Sequence, residues 1–119
     1  MGRRLFVILK TQKSIKEARE ICKDFFLSHE YEVLAEAPEL LVLRGGDFFW
    51  TVLGTYRWDK VVKTLIVNFE ERGGSTDVKL HYDVSRLGSI LSPLKSAKHE
   101  IEALQKKLEA ELVELNERR

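Results

Sequence analysis

Thr64-Leu65-Ile66-Val67-Asn68-Phe69-Glu70-Glu71-Arg72-Gly73-Gly74-Ser75-Thr76-Asp77-Val78-Lys79-Leu80-His81-Tyr82-Asp83-Val84 carries the densest structural signal in the chain. Two alternating runs flank a Gly-Gly pair, and alternation with period two is the mark of a strand with one buried face. The pattern predicts strands over 60–70 and 76–85. Val61, Leu65, Val67 and Phe69 share one inward face, and Val78, Leu80, Tyr82 and Val84 the other. Arg72-Gly73-Gly74-Ser75 is the hairpin turn, because glycine adopts the positive φ that tight two-residue turns require. Aligning the two inward faces puts Ile66 opposite His81 and Thr64 opposite Asp83 on the outward face.

Upstream, Leu5-Phe6-Val7-Ile8-Leu9 reads as a central, deeply buried strand. Ser14 and Glu17 have capping-box spacing. Ile15, Ala18, Cys22, Phe25 and Phe26 then recur at helical intervals, predicting an amphipathic helix that ends near His29. A cation at His29 suits that helix end. Tyr31, Val33 and Ala35 alternate with Glu32 and Glu36 in the next strand. Ala37-Pro38-Glu39 is a turn, and Leu40–Arg44 is a further strand closed by Gly45-Gly46.

Downstream, Ser92-Pro93 has the chemistry of a helix start. Leu94, Ala97, Ile101, Leu104, Leu108, Leu112 and Leu115 follow at spacings of three and four. They predict a long C-terminal helix of about 25 residues, roughly 37 Å. The fold expected is α+β: a single antiparallel sheet of five or six strands in the order β-α-β-β-β-β-α, with both helices on one face. Residues 1–119 read as a single domain.

Composition narrows the function classes. Hydrophobic residues make up 44% and charged residues 33% of 119, a globular balance. The net charge of +1 gives no bulk attraction to nucleic acid or an acidic membrane. The outward residues Asp77, Lys79, His81 and Asp83 lack the basic, ring-bearing character of a nucleic-acid face. The expectation is no nucleic acid and no membrane as partner. Leu5–Leu9 is too short for a signal-peptide core, and the lone Cys22 allows no internal disulfide, so the expected location is cytoplasmic.

Arg44-Gly45-Gly46, Trp58-x-Lys60, Thr64-Leu65-x-Val67, the alternation from Gly74 to Val84, and Glu100 in the terminal helix together carry a resemblance. The chain resembles small uncharacterised prokaryotic domains of β-α-β(4)-α shape, related to the TATA-binding-protein-like (TBP-like) and helix-grip folds. That resemblance implies the α+β fold. It transfers no single function, since these folds host ligand carriers, enzymes and DNA binders. The chain is also shorter than full helix-grip domains.

No catalytic or cofactor motif survives inspection. The glycine pairs lack phosphate-loop spacing. His99-Glu100 begins a zinc-protease pattern, but Ala103 stands where the second histidine belongs. Cys22 lies on an apolar helix stripe and reads as inert core. No metal and no cofactor are expected, and an enzyme is the less favoured class. Glu100 flanks the seam of the terminal helix, where a carboxylate is ordinarily solvated or ion-paired.

Five of the eleven aromatic residues crowd into 48–58: Phe48, Phe49, Trp50, Tyr56 and Trp58. They are the candidates for a ligand mouth or an interface. The function expected is a non-enzymatic binding or interaction domain, holding an apolar small molecule between the sheet and the C-terminal helix. The alternative is a small hydrolase or isomerase using an outward patch of Thr64, Lys79, His81 and Asp83. Leu112 and Leu115, beyond the reach of the sheet on a long helix, are the candidates for a homodimer contact.

Overall fold

The computed structural model describes residues 3–46, 62–84 and 97–118. They form strand β1 (Arg3–Thr11), helix α1 (Ile15–Ser28), strands β2 (Glu32–Ala37), β3 (Leu40–Gly45), β4 (Lys63–Arg72) and β5 (Ser75–Val84), helix α2 (Lys98–Leu108) and strand β6 (Glu111–Arg118). The strands make one sheet in the order β2-β3-β4-β5-β1-β6, antiparallel at every pairing.

The deciding hairpin forms as its alternation dictates. Arg72 pairs with Ser75 across Gly73 (φ 54°) and Gly74 (φ 86°). Two consecutive positive φ angles give a turn whose twist matches the flanking strands. Ile66 stands opposite His81 and Thr64 opposite Asp83. Leu65, Val67 and Phe69 join Val78, Leu80 and Tyr82 in the core.

β1 lies between β5 and β6, so Leu5, Val7 and Leu9 are fully buried on the helix side. α1 covers that side with Ala18, Cys22, Phe25 and Phe26. Its start is capped by Ser14, whose Oγ accepts the Glu17 amide at 3.1 Å. Ile101, Leu104 and Leu108 of α2 enter the same core, so both helices share one face. Arg19 and Lys23 of α1 reach Glu36 of β2 at 2.9 and 3.1 Å, which ties α1 to β2.

In two places the chain departs from the pattern read above. In β2 the pairing register shifts between Val33 and Ala35. Leu34 is the extra residue, so Val33 faces the helices while Ala35 lies opposite Val42 on the other face. Simple alternation fails because a bulge inverts the facing beyond it.

The larger departure is at the C-terminus. The second helix stops at Leu108, and the chain returns as β6 against β1. Glu109 takes a left-handed conformation (φ 52°), and the amides of Glu109 and Ala110 bond back to Lys106 and Gln105 at 3.2 and 2.9 Å. These two bonds close the helix as a Schellman motif does. Leu112 and Leu115 therefore lie on a strand, opposite Leu9 and Val7. A register shift between Ile8 and Leu9, with Val113 as the extra residue, places two leucines three apart on one sheet face. Their spacing is the one a helix would use. The sixth strand is thus C-terminal, the order among the described residues is β-α-β-β-β-β-α-β, and over 97–118 no long terminal helix forms.

Candidate functional site

Tyr82 occupies an inward position of β5 because strict alternation carries it there. A tyrosine on a core stripe brings a hydroxyl that must find a partner. Its partner is Glu100, in the first turn of α2 and only 7% exposed. The Tyr82 hydroxyl donates to Glu100 Oε2 at 2.7 Å. Tyr31, buried just beyond α1, donates to the same carboxyl group at 3.0 Å (Oε2) and 3.2 Å (Oε1). Glu100 is not the solvated edge carboxylate its flanking position suggests.

The surroundings reinforce the burial. Tyr31 packs edge-on against Phe26, with ring centroids 5.0 Å apart. Gly45 presses on the same ring: a Cβ there would lie 2.9 Å from Tyr31 Cε2. Lys63 begins β4 on the inward stripe, is 1% exposed, and sets its ammonium 5.1 Å from the Tyr31 ring centre. Burial raises the Tyr82 hydroxyl well above the ordinary phenol value, and the neighbouring Glu100 raises it further. Tyr82 therefore remains a proton donor at any ordinary pH. Burial likewise pushes the Cys22 thiol up, which leaves it a core side chain and not a nucleophile.

A pocket of about 420 Å³ lined by Glu30, Tyr31, Glu32, Arg44 and Gly46 reaches Tyr31 from outside. The other end of α2 is tied to β1. Leu104 and Leu108 are fully buried, and the Thr11 hydroxyl donates to the Leu108 carbonyl at 2.7 Å.

The outward patch is differently arranged. Thr64 and Asp83 are cross-strand neighbours, but Lys79 is drawn to Glu70 at 2.7 Å. Lys79 and Arg72 hold the Glu70 carboxyl below its usual range. His81 stacks on Phe6 at 4.3 Å between ring centroids, and its Nε2 is buried without a hydrogen-bond partner. Burial lowers its basicity, Arg4 lowers it further, and Asp83 acts in the opposite sense. A pocket of about 260 Å³ lies alongside, bordered by Phe6, Ile8, Asn68, His81, Glu114 and Asn116. Among the described residues, no cluster of three or more His, Cys, Asp or Glu is placed to hold a metal ion.

His29 caps α1. Its Nδ1 lies 2.8 Å from the Phe25 carbonyl and its ring stacks on Phe25. The ligand-mouth candidates Phe48, Phe49, Trp50, Tyr56 and Trp58 lie outside the described residues, as do Ser92, Pro93 and Leu94. Sequence reasoning missed Tyr31, Lys63 and Tyr82. The available signal was polar chemistry on inward positions, with Tyr82 two residues beyond Leu80 and Lys63 two before Leu65.

Among the described residues the fold is α+β, with one antiparallel sheet and two helices on one side. No protein-family model matches the chain, and no curated protein matches it. No described helix is long and apolar enough to cross a membrane.

Proposed function

We propose that this chain is a non-enzymatic binding domain that holds a largely apolar small molecule between the sheet and the first turn of α2. The observation that carries this reading is Glu100. It is a buried carboxyl group under a helix, bonded by two tyrosine hydroxyls and by no cation among the described residues. A core built for stability alone avoids such a group, because removing it from water costs several kcal/mol that imperfect pairing does not return. Buried polar groups converging beside a pocket are the usual anchor of a small-molecule site. Native mass spectrometry of the purified protein, with a thermal-shift screen of apolar compounds, tests the reading. A bare mass of 13.8 kDa and no shift with any compound defeats it and leaves a protein-interaction role.

A second reading, a hydrolase or isomerase at His81, rests on the buried, unpartnered Nε2 beside the 260 Å³ pocket. Loss of no activity on a broad ester and isomerase panel after His81→Ala removes it.

We also propose a homodimer through β6, the outer strand beside β1. Leu112, Val113 and Leu115 are 41%, 56% and 37% exposed there, and a second copy would cover them. Glu111, Glu114 and Glu117 oppose such pairing, so association should strengthen with salt. Light scattering at twice 13.8 kDa supports the dimer; the monomer mass at high salt ends it.

A further inference from the structure

The unfinished coordination of Glu100 specifies what its ligand carries. A carboxylate offers about four acceptor positions. Here two hydroxyl protons serve the whole group. Oε2 receives Tyr82 at 2.7 Å and the closer arm of Tyr31 at 3.0 Å. Oε1 receives only the longer arm of the same Tyr31 proton, at 3.2 Å. Among the described residues Oε1 thus has no donor of its own, although the residue is 7% exposed. Among the described residues no lysine, arginine or histidine stands within 4.0 Å of it. Lys63, whose ammonium lies over Tyr31, is engaged in contacts of its own. The N-terminal turn of α2 favours a negative charge at Glu100 through its dipole, but the dipole supplies no proton.

We infer that the ligand anchored at Glu100 carries a hydrogen-bond donor head, a primary amine by preference and a hydroxyl next, on an otherwise apolar body, and that acid-headed molecules are rejected. This rests on the small-molecule reading above. An ammonium supplies both a donor for Oε1 and a positive charge to pair with the carboxylate. The charge matters because Coulomb attraction is strong where water is excluded. A hydroxyl supplies the donor alone. A carboxylate head supplies neither and brings a second negative charge beside the first. It also gains no proton from the two phenols, whose hydrogens are committed to Glu100. The pocket leading to Tyr31 is consistent with a cation, with Glu30 and Glu32 against a single Arg44.

Lys63 makes the opposite outcome physically open, so the test discriminates. Isothermal titration of the full chain at neutral pH uses 1-octylamine, 1-octanol and octanoate below their micellar concentrations. The three probes share a chain and differ only in the head. The net charge of +1 gives the amine no general attraction. The expected order is amine, alcohol, acid, with the amine at least roughly tenfold tighter than the acid. Glu100→Gln should bring the amine down to the alcohol; far-UV circular dichroism checks its fold, and if it does not fold the wild-type order decides alone. Octanoate binding as tightly as octylamine overturns the inference while leaving the small-molecule reading standing. An amine preference that persists in folded Glu100→Gln overturns it too. Failure of all three probes to bind wild-type protein defeats the underlying reading instead.

Discussion

Gly45 is a glycine for reasons of space. Its φ is not in the left-handed region, yet a Cβ would sit 2.9 Å from the ring of Tyr31. That ring is buried and held at its far end by Glu100, so it cannot swing clear. Gly45→Ala should therefore lower the unfolding free energy by about 1–3 kcal/mol, read from the urea midpoint. It should also loosen the Tyr31–Glu100 bond. His81 gives a second prediction. Burial holds its native proton affinity below the ordinary value, so the unfolded chain takes the proton first as pH falls. The contribution of His81 to stability is then complete above about pH 6.5, and it declines as pH drops below that value toward the native midpoint. The stability difference between wild type and His81→Gln, followed from about pH 5 to 8, should rise with pH and level off near 6.5. An NMR titration midpoint for His81 at or above that value would refute the account.

Among the elements, α2 and β6 show how local chemistry and pairing compete. The leucines at 104, 108, 112 and 115 have the spacing of one continuous helical stripe. The helix nevertheless ends, because β1 has an edge with unpaired backbone groups and Glu111–Arg118 can satisfy them. The break falls at Glu109, a non-glycine in a conformation that glycine adopts without strain. Glu109→Gly should raise stability by about 0.5–1 kcal/mol, seen as a higher thermal midpoint. The Lys13–Glu109 ion pair lost with it is exposed and weighs little. A lower midpoint would mean that the left-handed turn is not the strained point of this connection.

At the scale of the molecule, one core holds α1, α2 and the sheet together among the described residues. Leu104 lies at its centre, fully buried with Leu80, Tyr82 and Val67 in the same cluster. Leu104→Asp would bring an unpaired charge into that cluster. It should cost about 4 kcal/mol or more and melt the sheet and both helices together. Circular dichroism melting checks both the size and the cooperativity. An unchanged midpoint would show that α2 does not cover the sheet there.

Elements with dense local signals can be read from the chain without its fold. The Gly73-Gly74 hairpin with its register, the Ser14 cap and the Ala18–Phe26 stripe were legible, because each depends on neighbours in the chain. So was the burial of Ile101, Leu104 and Leu108. The candidate site was legible only in Glu100, and there without its burial. Tertiary structure alone decided that Tyr31, Tyr82 and Glu100, from three separate elements, meet at one carboxyl group. It decided too that residues 111–118 are a strand. Both outcomes turn on long-range pairing: a free sheet edge and a buried hydroxyl must each be satisfied, and local periodicity does not reveal where the partner will come from.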